Sequence, residues 1–161
     1  MRKYLIFSLL VVLTLFMAVG SVGANRGAFV APASGDQEVP PVNTRARGNA
    51  VFQLSRDETE LSYRLIVANI ENVTMAHIHL GGVGENGPVV VWLYPDNPPP
   101  ELIPGRFSGI LAQGVITDDD LVGPLAGMTV ADLVDEILAG NAYTNVHTSQ
   151  FPAGEVRGQI R

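Results

Sequence analysis

The chain has three histidines, all within two short strand-like segments, Ala76-His77-Ile78-His79-Leu80 and Asn145-Val146-His147-Thr148, and it has no cysteine. Side chains alternate faces along a strand, so His77 and His79 point the same way, with Cα atoms about 6.5–7 Å apart. Imidazole is the commonest side-chain metal ligand and titrates near neutrality. If the fold brings His147 to the pair, three imidazoles with one open position make a mononuclear site suited to copper or zinc. The competing reading is structural: the two strands are neighbours, and the rings hydrogen-bond backbone or Glu155 and order the core. Glu155 and Arg157 share one strand face, and Asn145 shares a face with His147, so these three are the candidates to orient the histidines. For Glu155 the favoured reading is the plainer one, a partly buried ion-pair or turn-anchoring carboxylate.

Other constellations carry less. Residues 81–88 hold the glycines of an anion-binding nest but no lysine and no following helix, and read as a strand connection. Asp118-Asp119-Asp120 lacks the alternating oxygens of a calcium loop and reads as a solvated turn. Asn72-Val73-Thr74 is a glycosylation acceptor only in a eukaryotic secretory route. No G-x-S-x-G or Ser-His-Asp pattern is present, so no catalytic residue is assigned.

The elements that must position the histidines read as antiparallel β. Ala50, Phe52 and Leu54 alternate with Val51 and Gln53, and Leu61, Tyr63, Leu65 and Val67 alternate with Ser62, Arg64 and Ile66 after a polar turn, predicting a hairpin. Residues 75–80 and 89–93 read as further strands. Residues 95–104 contain five prolines and read as an irregular loop. Residues 107–116 resume a strand, with Gly109 and Gly114 as bulge positions. Thr129 followed by Asp132 predicts a capped helix with Leu133, Ile137 and Leu138 on one face and Gly140 as its stop. Residues 37–42, with adjacent prolines, read as an edge or extended loop. The prediction is an all-β antiparallel sandwich or barrel of about seven short strands with one inserted helix.

Composition bounds the function. Arg2 and Lys3 precede an apolar run over residues 5–19, and Val22-Gly23-Ala24 supplies small residues before Asn25. Residues 1–24 are therefore expected to be a cleaved secretory leader, with a retained membrane anchor as the alternative. Residues 25–161 are expected to be one domain with sixteen acidic residues, eight arginines and no lysine. That balance argues against nucleic acid and anionic membrane surfaces as partners, leaving the leader, if uncleaved, as the membrane contact. Export without cysteine means that packing or a ligand must supply the stability.

Five motifs then fall in order: Gly35-Asp36-Gln37-Glu38-Val39-Pro40-Pro41-Val42, Ala76-His77-Ile78-His79, Asn86-Gly87-Pro88-Val89-Val90-Val91, Tyr143-Thr144-Asn145-Val146-His147-Thr148 and Phe151-Pro152-Ala153-Gly154-Glu155-Val156-Arg157-Gly158-Gln159-Ile160. Together they resemble the CHRD domain, named from chordin, over about residues 29–161. The resemblance implies an immunoglobulin-like, superoxide-dismutase-like β-sandwich. It also implies an extracellular setting, since in chordin such domains belong to a protein that binds growth factors. The His-x-His strand is similar to the one that supplies copper ligands in Cu/Zn superoxide dismutases. Those enzymes add a bridging histidine, further ligands and usually a disulfide, which three histidines and no cysteine cannot supply. The expectation is thus a secreted, cell-surface or periplasmic binding module, not an enzyme, that meets an extracellular protein or glycan. The alternative is a mononuclear copper or zinc protein using His77, His79 and His147. A copper carrier would normally have methionines around its site, and Met75 alone lies close in sequence.

Overall fold

A computed structural model describes residues 27–161; the expected leader, residues 1–24, lies outside the described residues. The strands are β1 (Ala28–Ser34), β2 (Arg47–Leu54), β3 (Leu61–Leu80), β4 (Val89–Tyr94), β5 (Ile103–Ile116), β6 (Ala142–Thr148) and β7 (Val156–Gln159), with one helix, α1 (Val130–Leu138). Every pairing is antiparallel. Neighbours run β2-β1-β7-β6-β3, and β2 pairs β3 as well, so the sheet closes on itself in a barrel-like ring with β4 and β5 attached to β3.

The predicted hairpin is β2 and β3, with Ala50 opposite Leu65 and Phe52 opposite Tyr63. The strands are not all short. Residues 61–67 and 75–80, read separately in sequence, are one 20-residue strand. Asn69 and Asn72 interrupt it with φ of 56° and 53°, and the register against β5 slips at both places. Asparagine enters the left-handed region at low cost, so it can bend a strand without ending it. The first half of β3 then pairs with β2 and β5, and the second half with β4 and β6. Asn69→Ala is expected to cost about 1–2 kcal/mol and Asn69→Gly less, as read by urea denaturation.

Of the two glycines proposed as bulges, Gly109 has a φ of 149° and borders a register slip. Gly114 sits in regular register opposite Tyr63, where a Cβ would come within 3.1 Å of the tyrosine ring. Its job is close approach. Helix α1 has the expected capping box: Thr129 accepts from the Asp132 amide, and the Asp132 carboxylate accepts from the Thr129 amide and hydroxyl. Its buried face is Val130, Leu133, Val134 and Ile137, while Leu138, about 90° round the helix from the centre of that face, is exposed.

One apolar cluster fills the barrel, including Phe52, Leu65, Ile78, Leu93, Val146, Val156 and Ile160. Along β6 and at residues 76–79 of β3 the opposite face is buried too. Loops cover that second face, and the histidines are there.

Candidate functional site

The register of β3 against β6 builds the site. Met75 lies opposite His147, His77 opposite Asn145, and His79 opposite Tyr143. His147 is therefore a diagonal neighbour of His77 on the same sheet face. His77, His79 and His147 each offer one ring nitrogen within 4.8 Å of the others. All three rings are buried. His77 Nδ1 is 3.1 Å from His147 Nε2, and the ring centroids of His77 and His79 are 5.5 Å apart.

Backbone carbonyls from the covering loops set the ring orientations. His79 Nδ1–H donates to the Gly87 carbonyl at 2.9 Å, and His147 Nδ1–H donates to the Pro152 carbonyl at 3.0 Å. Each bond leaves the lone pair of that ring on Nε2. The Trp92 ring meets His77 edge-on with centroids 4.3 Å apart. Tyr143 stacks on His79 at 4.9 Å and 8°, and the Arg157 guanidinium lies 3.4 Å above the Tyr143 ring. The Tyr143 hydroxyl accepts from the Gly87 amide, so the loop is tied to the stack at both groups of one peptide-forming residue.

Burial is the main electrostatic force here. It pulls His77 down to about 3 and His147 to about 4 and lowers His79 as well, against the Gly87 carbonyl and Asn145. The rings are neutral at pH 7, the form that ligates a metal.

The orienting candidates divide. Asn145 is opposite His77 and beside His79. Arg157 completes the stack and donates to the Gly82 carbonyl and Asn86 Oδ1. Glu155 accepts from the Thr44 hydroxyl at 2.6 Å, and the histidine N–H groups find carbonyls instead. Glu38, Trp92 and Tyr143 had no assigned role in the sequence reading. The acid embedded in Gln37-Glu38-Val39-Pro40-Pro41 was the available signal for Glu38.

Four buried side-chain atoms lack a hydrogen-bond partner among the described residues: His77 Nε2, His79 Nε2, Asn145 Oδ1 and Glu38 Oε1. A native fold rarely leaves such groups alone, and here all four gather on one covered face. Glu38 and Asn145 meet over Gly154, where a Cβ would overlap Glu38 Oε1 and come within 2.9 Å of Asn145 Nδ2.

Burial raises the Glu38 carboxyl to about 7, with Arg157 only partly offsetting it. The folded state thus favours the neutral acid. The stabilisation is full below the unfolded value of about 4.5 and is lost as pH rises through about 7. At about 1.4 kcal/mol per pH unit this is about 3 kcal/mol. Glu38→Gln should therefore gain about 3 kcal/mol on the parent between pH 4 and pH 8, measured as the change in urea unfolding free energy at each pH.

The family model described as CHRD domain matches residues 29–160. The chain is 31% identical to chordin of Xenopus laevis over 137 residues, 80% of this chain and 12% of that protein. It is also 31% identical to chordin of Danio rerio over 142 residues, 85% of this chain and 13% of that protein. The chain thus spans about an eighth of the length of these relatives. No solved structure matches it. The motifs that surround the histidines all lie inside the matched region, and the chain belongs to the CHRD domain family.

Proposed function

We propose that the protein is an exported, non-enzymatic CHRD module that binds one copper or zinc ion through His77, His79 and His147. One observation carries this reading: three buried, neutral imidazoles converge, with Nε2 of His77 and of His79 unpartnered and His147 Nε2 engaged only by the neighbouring His77 ring. Two nitrogens bound to one ion at about 2.0–2.1 Å lie about 3.3–3.5 Å apart. His77 Nδ1 and His147 Nε2, 3.1 Å apart, share a hydrogen bond that a shared ion would replace, and the three rings would draw in from the 4.8 Å within which their nitrogens now lie. Carbonyl acceptors behind His79 and His147 are the usual support for ligating imidazoles. Asn145 and Arg157 orient the cluster, and Glu155 anchors the loop through Thr44.

Export rests on the leader-like residues 1–24, and an immunoglobulin-like or superoxide-dismutase-like sandwich is part of the same reading. No helix among the described residues is long and apolar enough to cross a membrane. A second reading, contact with an extracellular protein or glycan, is favoured by the outward face of β2, β3 and β5, where Val51, Ile66, Ile110 and Val115 are exposed.

Calorimetric titration of the metal-stripped protein with Zn²⁺ and with Cu²⁺ tests the metal reading. One ion per chain is expected; absence of a binding isotherm with either ion, and with Cu⁺ under anaerobic conditions, rules it out.

A further inference from the structure

Resting on the three-histidine reading, we infer that the site selects monovalent copper over divalent ions. Among the described residues the converging group contains imidazoles alone, with no carboxylate among its members. Its ligand set is therefore neutral, and the whole charge of a bound ion would have to be held by the surroundings. Those surroundings are buried, and the charge stacked against them is positive. Arg157, 1% exposed, lies over Tyr143, which lies over His79. The hydrogen bonds of Arg157 to Gly82 and Asn86 go to neutral oxygens. Glu38 is the carboxyl that acts on Arg157, and it sits across Gly154 from Asn145 with Oε1 unpartnered.

The cost of taking an ion out of water grows with the square of its charge, so a divalent ion costs about four times as much as a monovalent one of equal size. Coordination number points the same way. Structural and catalytic zinc take four ligands, and here the fourth would have to be a water or a turned-in Asn145 or Glu38. Monovalent copper is satisfied by three imidazole nitrogens.

The test compares three ions on one protein. Cu⁺ affinity is measured anaerobically by competition with bicinchoninate, and Zn²⁺ and Cu²⁺ affinities by competition with chelating dyes. Cu⁺ should bind at least about a hundredfold more tightly than either divalent ion. X-ray absorption of the Cu⁺ protein should show three nitrogen neighbours. Zn²⁺ or Cu²⁺ binding as tightly as Cu⁺, or a four-coordinate Cu⁺ shell with an oxygen, overturns the inference and leaves the three-histidine site standing. Failure of all three ions to bind overturns that site, and the inference with it.

Discussion

Alanine in place of His79 is expected to abolish the thermal stabilisation that a bound ion confers. An ion that binds only the folded state adds RT ln(1 + [L]/Kd), about 2.7 kcal/mol at a hundredfold excess over Kd. For a domain of this size that is a rise of about 10 °C in Tm. Removing one of three ligands leaves two imidazoles, too few to hold Zn²⁺ against water, so the rise given by Zn²⁺ should fall to within error of zero. The metal-free variant should also be less stable than the parent by about 1–3 kcal/mol. It loses the stack on Tyr143 and leaves the Gly87 carbonyl without its donor. The two effects separate the readings. If the histidines only order the core, the parent shows no metal response to lose and only the second effect is seen. His147→Ala should behave in the same way, with the Pro152 carbonyl as the stranded acceptor. Differential scanning calorimetry with and without the ion measures both.

Gly87→Ala should be nearly as damaging without touching a histidine. A Cβ on Gly87 would overlap the Leu80 carbonyl, where the Leu80 amide already donates to the Pro88 carbonyl at 3.0 Å. Backbone cannot step aside as a flexible side chain can. The loop must lift, and with it go the bonds from the Gly87 amide to Tyr143 and from His79 to the Gly87 carbonyl. A loss of about 3–4 kcal/mol is expected in urea denaturation, together with loss of the metal response. Gly84→Ala is the control. Its φ is 81°, but no atom lies within 4 Å of the added carbon, so the cost should be about 1 kcal/mol. Equal costs at the two positions would mean that loop strain, not the Leu80 contact, is what matters.

Local structure was largely legible. The capping box at Thr129 and Asp132 is written in adjacent residues and formed as read, because its hydrogen bonds span three positions. The β2–β3 hairpin was legible for the same reason: alternation on both sides of a six-residue turn specifies the register. What misled was also local. Residues 61–67 and 75–80 read as separate strands, yet Asn69 and Asn72 between them act as bends within one strand whose two halves pair with different partners. Gly114 looks like a bulge because a glycine in a strand often is one, but its reason lies across the sheet in the Tyr63 ring. Glu38 was hidden because its burial depends on a loop folding over a face that had not yet been built.

The candidate site divides along the same line. That His77 and His79 face the same way follows from the two-residue period of a strand, and their chemical type is in the sequence. So are the absence of cysteine and the want of further histidines, which limit the site to three imidazoles. The arrival of His147 does not follow from any local rule. It depends on pairing residues about 70 positions apart, with Met75 set opposite His147, and a slip of one residue would turn the ring to the other face. The neutral state of the rings is likewise tertiary. It comes from the loops around Glu38, Gly87 and Pro152 closing over the sheet, which removes the water that would otherwise stabilise an imidazolium.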